Sequence, residues 1–190
     1  MDRTILVNRD NPIPSDYRAS IELENVEVEE GFFVCMERET AEKYQHMRHY
    51  LSSIGIEVKA ISGYRYQETQ ERIWNKNVTD HGEAYARQRV AKPGYSEHQT
   101  GLALDLTLYD DQGDMVRDDD VDAYGKLLPH LYKFGFILRY PAGKESVTGY
   151  PFEPWHIRYV GIDAAREMYD AGWTLEEYVS RTREELGDRG

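Results

Sequence analysis

The chain has 190 residues, 40% hydrophobic and 31% charged, with a formal net charge of −12 and a sequence pI near 4.9. That is a globular composition at a length that suits one domain with a real core, so a single domain over residues 1–190 is expected. The acidity argues against nucleic acid or an anionic membrane surface as main partner. One cysteine, Cys35, excludes an internal disulfide framework, and no 18-residue apolar run is present to span a membrane.

In chain order, residues 1–14 lack the charged-then-apolar plan of a secretion signal, and residues 4–7 are predicted to form a short strand. Residues 40–53 are predicted helical, with Ala41, Tyr44, Met47 and Leu51 on one face. Residues 57–62 read as a strand. Residues 68–77 and 83–90 read as helices, the second stopped by Pro93-Gly94. Residues 101–108, Gly-Leu-Ala-Leu-Asp-Leu-Thr-Leu, form a compact apolar run that reads as a buried strand. Residues 110–122 are acidic without calcium-loop spacing and read as a solvated loop. Residues 120–133 are predicted helical despite Pro129. The segment after Pro154 is rich in aromatic and β-branched residues and reads as a strand. Residues 162–171 and 175–186 form a helical tail, 162–190 overall, broken at Gly172, with Thr174 and Glu177 spaced as a capping box. Strands and helices mix without regular βαβ alternation. The expected fold is therefore α+β, with a central antiparallel sheet flanked by helices.

Two segments carry the chemistry, Ser96-Glu97-His98-Gln99-Thr100-Gly101-Leu102-Ala103-Leu104-Asp105 and Glu153-Pro154-Trp155-His156. An acid in a core strand is costly unless it is paired or bound to a cation, so Asp105 needs a partner. Gly101 lets the backbone turn closely between His98 and the strand, which directs His98 and Asp105 toward one point. If Trp155 faces one side of its strand, His156 faces the other and is available as a third ligand. Glu153, just before that strand, is placed to take a proton from water without being a ligand. Three ligands with an adjacent carboxylate make the inventory of a catalytic zinc site, one zinc per chain. On the residues alone, Asp105 paired to an arginine and His156 as a satisfied core histidine stay open. Competing motifs are missing: there is no His-Glu-x-x-His and no Ser-x-x-Lys. Gly94-Tyr95-Ser96-Glu97-His98 begins like a nucleophile elbow but lacks its closing glycine.

The pattern Ser96-x-His98-x-x-Gly101-x-Ala103-x-Asp105 followed by Glu153-x-Trp155-His156 resembles the D-alanyl-D-alanine metallopeptidases, the VanY-type carboxypeptidases and their VanX and VanXY relatives. Ser62-Gly63-Tyr64-Arg65 with Gln70, the run Gly135 to Pro141, Lys144-Glu145, Thr148-Gly149 and Arg158 to Gly161 extend the likeness over nearly the whole chain. It implies the zinc fold shared with hedgehog signalling domains and lysostaphin. It implies His98, Asp105 and His156 as zinc ligands, Glu153 as catalytic base and Arg65 as stabiliser of the carbonyl oxygen as it becomes an oxyanion. It also assigns Ser96 and Gln70 to the terminal D-alanine, and Trp155 joins them in the substrate-binding set.

The expected activity is D,D-carboxypeptidase and D,D-dipeptidase hydrolysis of D-Ala-D-Ala termini, in a peptidoglycan precursor peptide or the free dipeptide, with a possible place in glycopeptide resistance. Precursors ending in D-Ala-D-lactate should be rejected. The alternatives are an L,D-carboxypeptidase or a wall endopeptidase of the same superfamily, and, from another class, a zinc-containing binding module without catalysis. Glu153 speaks against that last reading, since a binding module needs no general base. With Met1 as the native start the expected compartment is the cytoplasm, and with a trimmed leader the cell exterior. The sequence sets no oligomeric state.

Overall fold

The computed structural model describes residues 2–187; Met1 and residues 188–190, the end of the expected tail, lie outside the described residues. In chain order the elements are β1 (Leu23–Glu29), β2 (Phe32–Glu37), α1 (Arg38–Ser53), β3 (Glu57–Ser62), α2 (Gln67–His81), α3 (Glu83–Arg89), β4 (Ala103–Tyr109), α4 (Val121–Leu131), β5 (Phe136–Leu138), α5 (Glu145–Thr148), β6 (His156–Tyr159), α6 (Ile162–Ala171) and α7 (Leu175–Gly187).

Four strands form an antiparallel sheet in the order β3-β4-β6-β5, and β1 and β2 form a separate antiparallel hairpin. β4 lies between β3 and β6 and is buried along most of its length, as its nearly continuous apolar run requires. α1 packs on β3 and on the hairpin through Ala41, Tyr44, Met47 and Leu51, all fully buried at helical spacing. The Tyr44 hydroxyl accepts the β3 amide of Ala60 at 2.8 Å, which satisfies a buried donor on that edge strand. A second apolar cluster lies under α6 and α7, around Ile137, Val160, Met168 and Leu175.

The α+β class and the antiparallel sheet are as the sequence predicts, and the buried strand expected over residues 101–108 is present as β4, shifted to Ala103–Tyr109 because Gly101 closes the preceding 3₁₀ turn. Other elements differ. Residues 4–7 are not a strand, because their surroundings offer an arginine rather than a sheet edge: the carbonyls of Arg3 and Ile5 accept from Arg158 Nη2 at 3.2 and 2.8 Å. α1 begins at Arg38, ahead of the predicted residue 40, because the Glu37 carboxylate caps it by accepting the Thr40 amide at 3.0 Å. α2 runs on to His81, where Gly82 at φ 85° ends it. The helix predicted over 120–133 stops at Leu131 and tightens into a 3₁₀ turn, Tyr132–Phe134. The β1–β2 hairpin was not predicted, although Val26, Val28, Val34 and Met36 alternate inward about a turn at Gly31. The predicted capping box is present: Glu177 accepts the Thr174 amide at 2.8 Å and Thr174 Oγ1 accepts the Glu177 amide at 3.3 Å.

Candidate metal centre and active site

The sheet itself assembles the centre. Asp105 of β4 stands opposite His156 of β6 and, across a bulge, opposite Ser62 of β3. His98 comes from the 3₁₀ turn Glu97–Thr100, which closes on Gly101 at φ 75°; a Cβ there would lie 3.0 Å from the Glu37 nitrogen, so a side chain would be strained by conformation and tight for space. Gly63 sits tighter still, since a Cβ would meet the Cys35 carbonyl at 2.3 Å. That close approach aims the Gly63 carbonyl at His98, which contacts it through Nδ1 at 2.8 Å.

With the His98 Nδ1 proton donated to Gly63, Nε2 carries the free lone pair, and it lies 3.2 Å from Asp105 Oδ2. His156 is set the other way round. Its Nδ1 lies 3.1 Å from Asp105 Oδ1, while Nε2 faces Glu97 Oε2 at 3.4 Å and donates to it. One donor atom from each of His98, Asp105 and His156 falls within 4.8 Å of the others. Tetrahedral ligands about 2.0–2.1 Å from a zinc ion are spaced roughly 3.3 Å apart, so the donor set suits zinc with little adjustment. Each histidine also has the outer partner that fixes its tautomer.

Charge follows the geometry. Burial disfavours protonation of His98 and holds its pKa below the ordinary value. Burial works the same way on His156, but the Asp105 and Glu97 carboxylates outweigh it and raise its pKa to about 9 before any cation is present. Burial would raise Asp105, yet the two histidines hold it well below the carboxylate range. Both readings left open by the sequence are therefore combined, because Asp105 also accepts from Arg65 Nη2 at 2.9 Å. Arg65 is further fixed by Ser62 Oγ, which accepts from Nε at 3.2 Å and from Nη2 at 2.8 Å. No hydrogen bond occupies Nη1 among the described residues.

A cleft of about 190 Å³ opens over the three donors and is lined by Arg65, Gln70, Ser96, Glu153 and Trp155, so every residue singled out in the sequence meets at one place. Glu153 Oε2 lies 3.9 Å from His156 Nδ1, too far for a hydrogen bond but within reach through one water. Burial raises the Glu153 pKa above the ordinary value. Gln70 is almost fully buried: Nε2 donates to the Ala91 carbonyl at 2.8 Å, and Oε1 has no partner among the described residues.

Sequence reasoning missed Glu97, Arg139 and Arg158. Glu97 Oε1 accepts from Arg139 Nε at 2.7 Å and from Arg158 Nη1 at 2.6 Å, and both arginines are fully buried. Burial would raise the Glu97 pKa, but Arg139 and Arg158 hold it far below the carboxylate range. The signal available was the pair of arginines in apolar surroundings, in Ile137-Leu138-Arg139-Tyr140 and Ile157-Arg158-Tyr159-Val160.

The chain is similar to a family of known peptidases. Residues 34–162 match the family model described as VanY, D-alanyl-D-alanine carboxypeptidase. The chain is 38% identical over 184 residues to the putative carboxypeptidase YodJ of Bacillus subtilis (strain 168), which covers 94% of the chain and 67% of that protein. It is 37% identical over 150 residues to the bifunctional D-Ala-D-Ala dipeptidase and carboxypeptidase VanXYC of Enterococcus gallinarum, covering 76% and 77%. Among solved structures, a vancomycin resistance D,D-pentapeptidase VanY in complex with Zn(II) superposes with a TM-score of 0.82 at 36% identity, covering 94% of this chain and 99% of that one. VanYB in complex with D-Ala-D-Ala gives 0.80 at 37%, covering 94% and 97%. The LdcB LD-carboxypeptidase gives 0.80 at 36%, covering 92% and 84%.

Proposed function

Because the chain belongs to the VanY family of D-alanyl-D-alanine carboxypeptidases, we propose that it is a zinc peptidase that removes the terminal D-alanine from peptides ending in D-Ala-D-Ala, with peptidoglycan precursor peptides and the free dipeptide as substrates. One observation carries the reading: His98 Nε2, Asp105 and His156 Nδ1 converge on a cleft that Glu153 and Arg65 also line. His98, Asp105 and His156 would hold the zinc, which would supply Lewis-acid chemistry and make water a better nucleophile near neutral pH.

Glu153 acts as the base. It takes a proton from the attacking water and returns it to the departing amine, and its raised pKa brings it toward the range where both transfers are easy. Arg65 is oriented by Ser62 and Asp105, and its uncommitted Nη1 is a donor for the substrate carbonyl oxygen as negative charge builds on it. Ser96 and Trp155 line the cleft and complete the substrate-binding set of this reading. A site that hydrogen-bonds the scissile amide N–H leaves an acceptor unpaired against an ester oxygen, which favours D-Ala-D-Ala over D-Ala-D-lactate.

A second reading, L,D-carboxypeptidase activity on tetrapeptide stems, is favoured by one observation: the LdcB superposition is nearly as good as the VanY ones. Product analysis on D-Ala-D-Ala, a pentapeptide stem and a tetrapeptide stem, each with and without chelator, tests the assignment. D-alanine release from the dipeptide and pentapeptide, abolished by chelator, is expected. Release from the tetrapeptide alone favours the L,D reading, and release unaffected by chelator overturns the zinc mechanism. No described helix is long and apolar enough to cross a membrane. Fractionation of cells expressing the whole gene assigns the compartment, with activity in the soluble fraction pointing to precursors and activity in the wall fraction to mature stems.

A further inference from the structure

The Nε2 side of His156 meets a closed ionic network. Glu97 accepts at Oε2 from His156, at 3.4 Å, and at Oε1 from Arg139 and Arg158. Arg139 continues outward as a fork, with Nη1 and Nη2 donating to the two Glu176 oxygens at 2.8 and 2.6 Å. Glu176 lies in the first turn of α7, and Asn8 Nδ2 also donates to it at 3.2 Å. Arg158 ends on the carbonyls of Arg3 and Ile5. Both ends of the described chain thus reach a metal ligand through two buried guanidinium groups.

The same helix holds the segment that frames the catalytic base. Lys144 Nζ donates to Glu177, next to Glu176, at 2.8 and 3.0 Å. Between Arg139 and Lys144, the Tyr140 ring lies 4.9 Å from the His156 ring, and the Tyr140 carbonyl accepts the Glu153 amide at 3.1 Å. The Arg139 amide donates to the His156 carbonyl at 3.1 Å. Stability alone does not account for such a network, since well-packed apolar side chains of similar volume usually serve a core at least as well as a buried ion cluster. What the ions add is direction: a bidentate fork fixes Arg139, two guanidinium groups fix Glu97, and Glu97 fixes the imidazole.

We propose that Glu97, Arg139 and Glu176 transmit the docking of α7 to His156, so that Glu97 and Glu176 are positioning residues and the C-terminal helix is part of the metal site. The inference rests on the three-ligand site and not on the identity of the substrate.

The test is zinc affinity of the full chain, by competition with a chromophoric chelator, together with the visible spectrum of the Co(II) form. In Glu97→Gln the affinity should fall about 10–100-fold, the usual scale for an outer-shell partner of a metal ligand. In Glu176→Gln, which touches neither the ligands nor the cleft, it should fall about 2–30-fold with a changed Co(II) spectrum. Tyr44→Phe removes a buried hydrogen bond elsewhere in the core; it should lower the melting temperature and leave zinc affinity as in the wild type. If both glutamate variants bind zinc like the wild type and differ only in melting temperature, the network is structural and the proposal fails. If Glu97→Gln does not fold, Glu176→Gln decides alone. A wild-type chain that fails to bind zinc in the same titration refutes the metal site rather than the coupling.

Discussion

Asp105 and Glu97 are two acids on opposite sides of one imidazole, the first half-buried and the second buried, and their surroundings could hardly differ more. Glu97 is enclosed by Arg139, Arg158 and the His156 Nε2–H, so protein atoms alone satisfy it. Asp105 faces His98 Nε2 and His156 Nδ1 beside an open cleft and also accepts from Arg65. A closed ion cluster holds shape, whereas a convergent set of donors beside a cavity leaves room for a cation. His156 divides the two, so substitutions on its Nδ1 side should remove chemistry and leave the fold, and those on its Nε2 side should act on stability and metal affinity.

The largest effect is expected at the ligands. His98→Ala should lose stoichiometric zinc and all measurable turnover while keeping its circular dichroism; full zinc occupancy in that variant would place the metal elsewhere. Next comes Glu153→Gln, with kcat lower by about 10²–10⁴-fold and zinc retained, since a general base contributes on that scale. The same change sharpens the comparison through stability. Burial raises the Glu153 pKa, so its ionised form opposes folding above the unfolded glutamate pKa. Metal-free Glu153→Gln should therefore melt no lower than the metal-free wild type at neutral pH, and a clear loss of stability would make Glu153 a structural support. In the wild type, kcat/KM should rise with pH through that raised pKa, and the rise should vanish in the variant. Glu97 has the opposite sign. Its depressed pKa contributes stability above the unfolded value, and that stability is lost as pH falls toward the folded one, so acid melting should be steeper for the wild type than for Glu97→Gln.

Arg65→Lys should cost about 10²–10³-fold, mainly in kcat, because lysine keeps the charge but loses the planar donors that Ser62 and Asp105 orient. A change confined to KM would assign Arg65 to ground-state binding. The smallest effect is expected far from the cleft. Thr174→Ala removes one half of the α7 capping box and should lower stability by about 1 kcal/mol, with kcat per bound zinc unchanged.

How much was legible in the sequence divides along the same line. Asp105 was readable because an acid in an apolar run calls for a partner, and His156 and Glu153 because strand alternation and the preceding proline set their directions. Those are local signals within ten residues. Glu97 is adjacent to His98 yet was passed over, because what makes it special, two guanidinium groups from residues about 40 and 60 positions later, exists only once β5 and β6 pair. The strand predicted over residues 4–7 failed for a related reason: Arg158, from β6, captures the carbonyls that a sheet neighbour would have used. Helix ends shifted where a side chain or glycine intervened, as with Glu37 before α1 and Gly82 after α2.

Anomalous diffraction at the zinc edge, from crystals of the zinc-loaded chain, tests the contrast between the two acids most directly. The account predicts a single strong peak, about 2.0–2.2 Å from His98 Nε2, His156 Nδ1 and an Asp105 oxygen, with Glu97 still paired to Arg139 and Arg158. A peak bound to His156 Nε2 and Glu97, or no peak beside Asp105, would contradict it.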